Sequence, residues 1–332
     1  MFEGKNILIA GGAGFVGINL IKRLLKCGAN VTATLHNKPA VIKDERIRYL
    51  QCNLTKPEDC TRAVEDAEYV FMCAANTSGA AVMEKTPLVH VTPNVVMNTL
   101  MLEAAYKAGV EKFLFVSSNT VYPPTDHPVK EDEMIPGQMF EKYFCVAWMK
   151  QFTEILCRMY TEKISSPMKT VVVRPANIYG PYDDFEWETS HVLPALIRKV
   201  VERHYPIEVW GDGNDIKDFI YIDDFIEGVL LAIEKVQTFE PVNIAAGVPC
   251  SIRHALDVIL QADGYTDANI IFDSSKPTMI PKRLIDTTKA KQLLGFVAKT
   301  QLAEGIKKTV EWYRKMRGFS DRKRLVNQQC NV

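Results

Sequence analysis

The chain has no excess of charge of either sign. Lysine plus arginine number 40 and aspartate plus glutamate number 40, interspersed along 332 residues, so the net charge is zero. Nucleic-acid binding needs a clustered basic face, and none is expected here. No apolar run reaches transmembrane length, and the first residues lack the basic and apolar regions of a signal peptide, so no membrane partner is expected either. The eight cysteines (Cys27, Cys52, Cys60, Cys73, Cys145, Cys157, Cys250, Cys330) form no C-x-x-C pair and no cluster with histidine. That scatter argues against a metal site and a disulfide framework, and fits reduced thiols in the cytoplasm. The length supports a sizeable core and allows two domains.

What the chain does have is a glycine-rich turn near its start, KNILIAGGAGFVG at residues 5–17. An apolar run at residues 7–10 reads as a buried strand. It stops at glycines that satisfy both G-x-G-x-x-G (Gly12, Gly14, Gly17) and G-x-x-G-x-x-G (Gly11, Gly14, Gly17). Ile18, Ile21, Leu24 and Leu25 then recur at helical spacing. In a dinucleotide site the first glycine allows a tight turn, Gly14 lets the backbone approach a pyrophosphate, and Gly17 lets helix and strand pack closely. The phosphates would lie on the helix N-terminus, at Phe15 and Val16. A plain strand-turn-helix is the alternative; the position at the head of an alternating strand and helix pattern favours the dinucleotide.

That pattern continues. A second strand at residues 30–35 (NVTATL) ends where such a site selects its cofactor. An acid there would hold the ribose 2′-hydroxyl of NAD, but the chain has Leu35, His36, Asn37 and Lys38. NADP(H) is therefore expected over NAD(H), with His36 near the extra phosphate; if His36 and Lys38 are ordinary loop residues, NAD(H) stays open. A third strand at residues 48–52 runs into Asn53 and Leu54, and a fourth at 68–72 into Cys73, Ala74 and Ala75, small enough for backbone to pass beside a cofactor. Helices at 93–109 and 143–162 alternate with strands at 112–116 and 169–174, the last leading to Pro175.

Strands separated by helices predict an α/β fold, a Rossmann-type doubly wound parallel sheet. It is expected over residues 1–174. A smaller C-terminal substrate lobe of shorter elements follows over 175–317, with segments returning to the sheet, and a loose polar tail over 318–332. Ligands bind beyond the carboxyl ends of such strands, which brings Ser117, Ser118, Asn119 and Thr120 to the mouth of the site.

Four motifs together resemble the extended short-chain dehydrogenases/reductases of the nucleotide-sugar epimerase/dehydratase kind: GGAGFVG, SSNTVY at 117–122, RPANIYGP at 174–181 and GDGNDIKDFIYIDD at 211–224. The likeness runs from residue 5 to about residue 313. GPYDDFEWETSHVLPALIRK at 180–199, VWGDGNDIKDF at 209–219 and PKRLID at 281–286 resemble the GDP-fucose synthase-like group. The resemblance implies a sugar carried on GDP rather than UDP, a nicotinamide cofactor, and a homodimer formed through helices 93–109 and 143–162.

It also implies hydride transfer at a sugar carbon. Ser118 would hold the reacting oxygen, a phenol would be the acid/base, and Lys150 would lower the phenol's pKa and bind the nicotinamide ribose. A free phenol titrates near ~10, so it needs that help at neutral pH. The family spaces Tyr and Lys four apart. Here Val146 stands four before Lys150, and Tyr143 stands seven before it, two turns away on roughly the same face. Tyr143 can substitute if the helix starts late or bulges. Otherwise Tyr143 packs and another group does the work, or the chemistry has lapsed.

In the fucose synthase-like group a histidine matching His191 protonates the sugar during epimerisation, with a cysteine as its partner. The second position here is Thr120, a far weaker acid, which puts two-base epimerisation in doubt and leaves simple oxidation or reduction. His191 as a helix cap or nucleotide contact is the alternative. Asn177 would lie near the pyrophosphate with Asn119 beside Ser118, and Val192 and Lys199 on a helix beside the base, with Trp210 packing there. Lys217 replaces the family's arginine, a point charge in place of a fork. Lys282 and Arg283 would add charge toward the diphosphate. Two classes remain open: an NAD(P)-dependent nucleotide-sugar enzyme, and a dinucleotide-binding sensor or scaffold of the same fold.

Overall fold

The computed structural model describes residues 1–76, 86 and 88–319. Nearly all of the expected tail, residues 320–332 with Arg322, Lys323, Arg324 and Cys330, lies outside the described residues.

The chain runs β1 (Asn6–Ala10), α1 (Phe15–Lys26), β2 (Asn30–Leu35), β3 (Ile47–Gln51), α2 (Pro57–Val64), β4 (Tyr69–Met72), α3 (Leu88–Lys107), β5 (Lys112–Val116), α4 (Phe144–Glu162) and β6 (Lys169–Pro175). After these come β7 (Asn177–Tyr179), α5 (Val192–Val201), β8 (Ile207–Trp210), β9 (Ile216–Tyr221), α6 (Ile222–Lys235), β10 (Glu240–Ile244), β11 (Pro249–Ser251), α7 (Ile252–Asp263), β12 (Ile270–Asp273) and α8 (Leu302–Met316).

Seven strands form one sheet in the order β10-β6-β5-β4-β1-β2-β3, every neighbouring pair parallel. The order reverses between β1 and β4, which opens a crevice at their carboxyl ends, directly above the glycine turn. Alternation along each strand divides the side chains between two cores. Ile7 and Ile9 of β1 face one core with α1 and α6, whereas Leu8 and Ala10 face the other with α2, α3 and α4. A one-residue slip would exchange the faces of all four, so burial fixes the register.

The remaining strands build a smaller unit. β11, β9 and β7 make a three-stranded sheet, and β12 pairs with β8. β10 leaves that unit and returns to the edge of the main sheet beside β6.

Two helix starts differ from the sequence expectation. α3 begins at Leu88 instead of residue 93 and carries Pro93 inside it. Proline has no N–H for the carbonyl four residues back, Val89. The Asn76 amide donates to that carbonyl at 3.1 Å, so the helix continues through the proline. α4 begins at Phe144, and Tyr143 belongs to the 3₁₀ turn Glu141–Tyr143 before it. Among the described residues no helix is long and apolar enough to cross a membrane, and no group of histidine, cysteine and carboxylate side chains could hold a metal ion.

Candidate active site

The glycine turn is built to exclude side chains. Gly11 has φ +90°, and a Cβ on it would lie 2.7 Å from the Ala74 Cα. A Cβ on Gly17 would overlap the Gly11 carbonyl oxygen, so α1 packs directly on the turn. At Gly14 the nearest atom to a Cβ is that same oxygen at 3.3 Å, and no other lies within 4 Å. The open side of Gly14 thus faces away from the protein. Gly14 caps α1 with no side-chain bond to its first amides and no acid in its first turn. Free amides at Phe15 and Val16, beside a glycine open to an incoming group, fit a pyrophosphate. The Thr34 hydroxyl holds the turn by accepting from the Gly11 N–H at 2.9 Å.

Other expected cofactor positions surround this cradle. Past β2, His36, Asn37 and Lys38 are all exposed, and no acid stands among them. The Asn53 side-chain oxygen accepts from the Thr55 N–H and hydroxyl at 3.1 and 2.7 Å, and Leu54 is buried beneath it. Ala74 abuts Gly11, and Ala75 is exposed. The Pro175 carbonyl accepts from the Asn119 amide at 2.8 Å, tying the ends of β5 and β6 together.

The reacting groups gather past β5. The Ser118 hydroxyl accepts from both the Thr120 N–H and the Thr120 hydroxyl, at 3.1 and 3.0 Å. Its own proton is therefore aimed elsewhere. Lys150 is 8% exposed and donates to the Val116 carbonyl, the last of β5, at 2.8 Å, with its Nζ 4.7 Å from the centre of the Phe115 ring. Burial brings the Lys150 amine down to about 8, against the opposing pull of Glu154 and Cys73.

Beneath this cluster lies a buried polar network that sequence reasoning missed. Arg174 grips Glu154 with Nε–Oε1 3.0 Å and Nη2–Oε2 2.5 Å, and also donates to the Tyr122 hydroxyl and the Glu131 carbonyl. Ser117 donates to the same Glu154 carboxylate. The available signal was spacing, since Glu154 follows Lys150 by one helical turn.

Tyr143 is not in this group. Its ring packs edge-on against Phe140, centroids 5.6 Å apart. Burial pushes its hydroxyl up to about 12, with the Ile280 backbone and the Arg283 guanidinium opposing and Asp215 assisting. Lys150 has no part in that environment. The helix does start late, at Phe144, but the Tyr143 ring lies against Phe140 with its hydroxyl at the Ile280 backbone, so the late start does not bring Tyr143 to Lys150.

Tyr143 instead joins a second cluster in the smaller unit. Lys217, 9% exposed, is tied to the Ile280 carbonyl and lies 3.4 Å from Asp215. Arg283, 1% exposed, donates to the Pro123 and Tyr122 carbonyls, and its Nε has no partner. Lys282 donates outward to the Asp126 carbonyl at 2.6 Å. The Asn177 amide donates to the Asp218 carbonyl at 3.0 Å.

A third group borders α5. His191 caps this helix and Val192 opens it. The His191 residue is exposed, yet the surrounding protein lowers its imidazole pKa by desolvation while Asp184 opposes. In the same loop Asp183 accepts from the Asp184 N–H at 2.7 Å, and its Oδ2 is buried without a partner. Burial pushes the Asp183 carboxyl up to about 8. The Lys199 amine donates to the Glu208 carbonyl at 2.6 Å, and the Trp210 indole donates to the Glu208 carboxylate at 3.1 Å.

The sequence pattern of the NAD dependent epimerase/dehydratase family matches residues 7–245. The chain belongs to that family. The rice (Oryza sativa subsp. japonica) protein named Probable GDP-L-fucose synthase 1 is 29% identical over 94% of this chain and 92% of its own length. The rice (Oryza sativa subsp. indica) GDP-mannose 3,5-epimerase 1 is 28% identical over 93% and 82%. Among solved structures, the UDP-glucose 4-epimerase of Thermotoga maritima with UDP-glucose superposes with a TM-score of 0.85 at 28% identity, over 94% of this chain and 99% of that one. On α4 the aliphatic Val146 stands one turn before Lys150.

Proposed function

We propose that the protein is an NAD(P)-dependent oxidoreductase that transfers a hydride at one carbon of a nucleotide-linked sugar. The observation that carries this reading is the convergence of Ser118, Thr120 and Lys150 at the end of β5, beside a glycine cradle open to a pyrophosphate. When bound, the nicotinamide supplies or accepts the hydride. Ser118 orients the sugar oxygen with its free proton, and Lys150 also anchors the nicotinamide ribose. Asn119 stands beside Ser118, Asn177 and Lys217 border the diphosphate with Lys282 and Arg283 adding positive charge toward it, and His191, Val192, Lys199 and Trp210 border the nucleoside. The GDP linkage rests on the two rice relatives, whose names carry GDP-sugars with different chemistries.

Thr120 in place of a thiol favours oxidation or reduction at one carbon over two-base epimerisation. Exposed His36 and Lys38, with no acid beside them, favour NADP(H) over NAD(H). Phe144, Trp148, Phe152 and Met159 are large, exposed and spaced to share one face of α4. We assign that face to a second copy of the chain, giving a homodimer. The seven described cysteines are all free, which suits a cytoplasmic enzyme.

The test is nicotinamide absorbance of the purified protein before and after adding GDP-, UDP- and CDP-sugars. A redox change with GDP-sugars alone supports the full reading. A change with UDP-sugars moves the linkage. A protein that binds cofactor and changes it with none of them is a sensor or scaffold, the reading that Val146 favours.

A further inference from the structure

We propose that Lys150 itself donates and accepts the proton of the reacting sugar oxygen, in the place the family gives to a phenol; this rests on the functional reading above. One turn before Lys150 stands Val146, which cannot exchange a proton. Tyr143 is turned toward Ile280 and Arg283. Ser118 and Thr120 are neutral hydroxyls bonded to each other. Two titratable groups are anchored at the strand end that carries Ser118: Glu154, which is held by Ser117 and Arg174, and Lys150, through its 2.8 Å bond to the Val116 carbonyl.

The surroundings of Lys150 suit proton exchange. The groups facing it are Glu154 on its own helix, Cys73 past β4 and, through Glu154, Arg174 on β6. Glu154 is committed to Arg174 and Ser117, so Lys150 has no carboxylate of its own. Burial pushes the Cys73 thiol up to about 12, which keeps it neutral. A buried ammonium that donates to one backbone carbonyl, and whose neighbouring carboxylate is already paired with an arginine, is easily deprotonated. In reduction, the carbonyl carbon gains the hydride and the C=O π pair goes to oxygen. The oxygen takes a proton from Lys150: an O–H bond forms, an Nζ–H bond breaks, and the neutral amine recovers its proton from water. Oxidation is the reverse.

The experiment is single-turnover hydride transfer across pH in the cofactor-loaded native chain, Lys150→Met and Lys150→Arg, with cofactor affinity measured separately by nicotinamide fluorescence. The reductive rate of the native chain is expected to fall as pH rises through the Lys150 titration. Lys150→Met is expected to lose at least ~100-fold in rate. Lys150→Arg keeps the charge and the anchoring bond but cannot release a proton at these pH values, so it is expected to bind cofactor and stay as slow. Arginine rescue to within tenfold of native would show a positioning role and overturn the proposal. Transfer that survives in Lys150→Met overturns it alone. A native chain inert toward every nucleotide-sugar class overturns the functional reading and this proposal with it.

Discussion

Arg174 and Glu154 form an ion pair in which both side chains are 1% exposed, directly under the strand end that carries Ser117. The pair joins α4 to β6 and so fixes the helix on which Lys150 is mounted. Removing one partner strands the other charge in a dry interior. Arg174→Met and Glu154→Gln are each expected to cost about 3–5 kcal/mol, with part of the loss recovered in the double variant. Denaturant unfolding of the three variants checks it. Equal and additive losses would mean that the pair is not coupled.

The glycines of the first turn separate folding from binding. A methyl group at Gly17 overlaps the Gly11 oxygen, whereas one at Gly14 meets a single atom at 3.3 Å and otherwise projects outward. Gly17→Ala is expected to lower stability by about 2 kcal/mol or more, through backbone overpacking. Gly14→Ala is expected to fold as the native chain does and lose at least tenfold in cofactor affinity. Thermal unfolding paired with nicotinamide fluorescence distinguishes the two. A Gly14→Ala chain with native affinity would remove the pyrophosphate from this turn.

The contrast between these two sites shows where sequence is informative. The glycine turn, the alternating strands and the parallel sheet were legible because each rests on local chemistry: steric room at one residue, or burial at period two and 3.6. The start of α3 was not legible. Pro93 reads as the first residue of a helix, and only a side chain seventeen residues earlier, Asn76, supplies the donor that lets the helix begin before it and run through it. The surroundings of Tyr143 were not legible for a similar reason. Counting turns assumes a continuous helix, but the 3₁₀ turn ahead of Phe144 directs the ring to residues 280 and 283, which only the tertiary fold brings near. Glu154, Arg174 and Asp183 carry no sequence signature of burial.

Asp183 gives a pH signature. Its carboxyl is raised to about 8 in the folded chain, against an ordinary 3.8, with burial as the largest cause. The folded state therefore holds a proton that the unfolded state has released. The stabilising difference is full below the unfolded value and is lost as pH rises toward 8, by an amount on the order of a few kcal/mol. Asp183→Asn removes that dependence. The native chain is expected to lose stability between pH 5 and pH 8 relative to the variant, with the gap narrowing or reversing at the upper end. Melting temperatures of both proteins at a series of pH values test this. Parallel curves would mean that Asp183 is solvated and ionised throughout.

Val146→Tyr probes the same pocket by gain of function. Valine and tyrosine have similar helix propensities, and Val146 is only half-buried, so the change is expected to cost no more than about 1 kcal/mol. The new phenol would stand one turn from Lys150, on the same face of α4. A nearby ammonium favours the phenolate, and a nearby phenolate favours the ammonium, so the phenol should titrate below its usual ~10 and Lys150 above about 8. Ultraviolet phenolate absorbance, native subtracted from variant, reads the first shift without any substrate. Hydride transfer should then persist to higher pH than in the native chain. Lys150→Met in the Val146→Tyr background should raise the phenol's pKa again. A phenol at position 146 that titrates at or above ~10, unmoved by Lys150→Met, would mean that the two positions do not share a pocket.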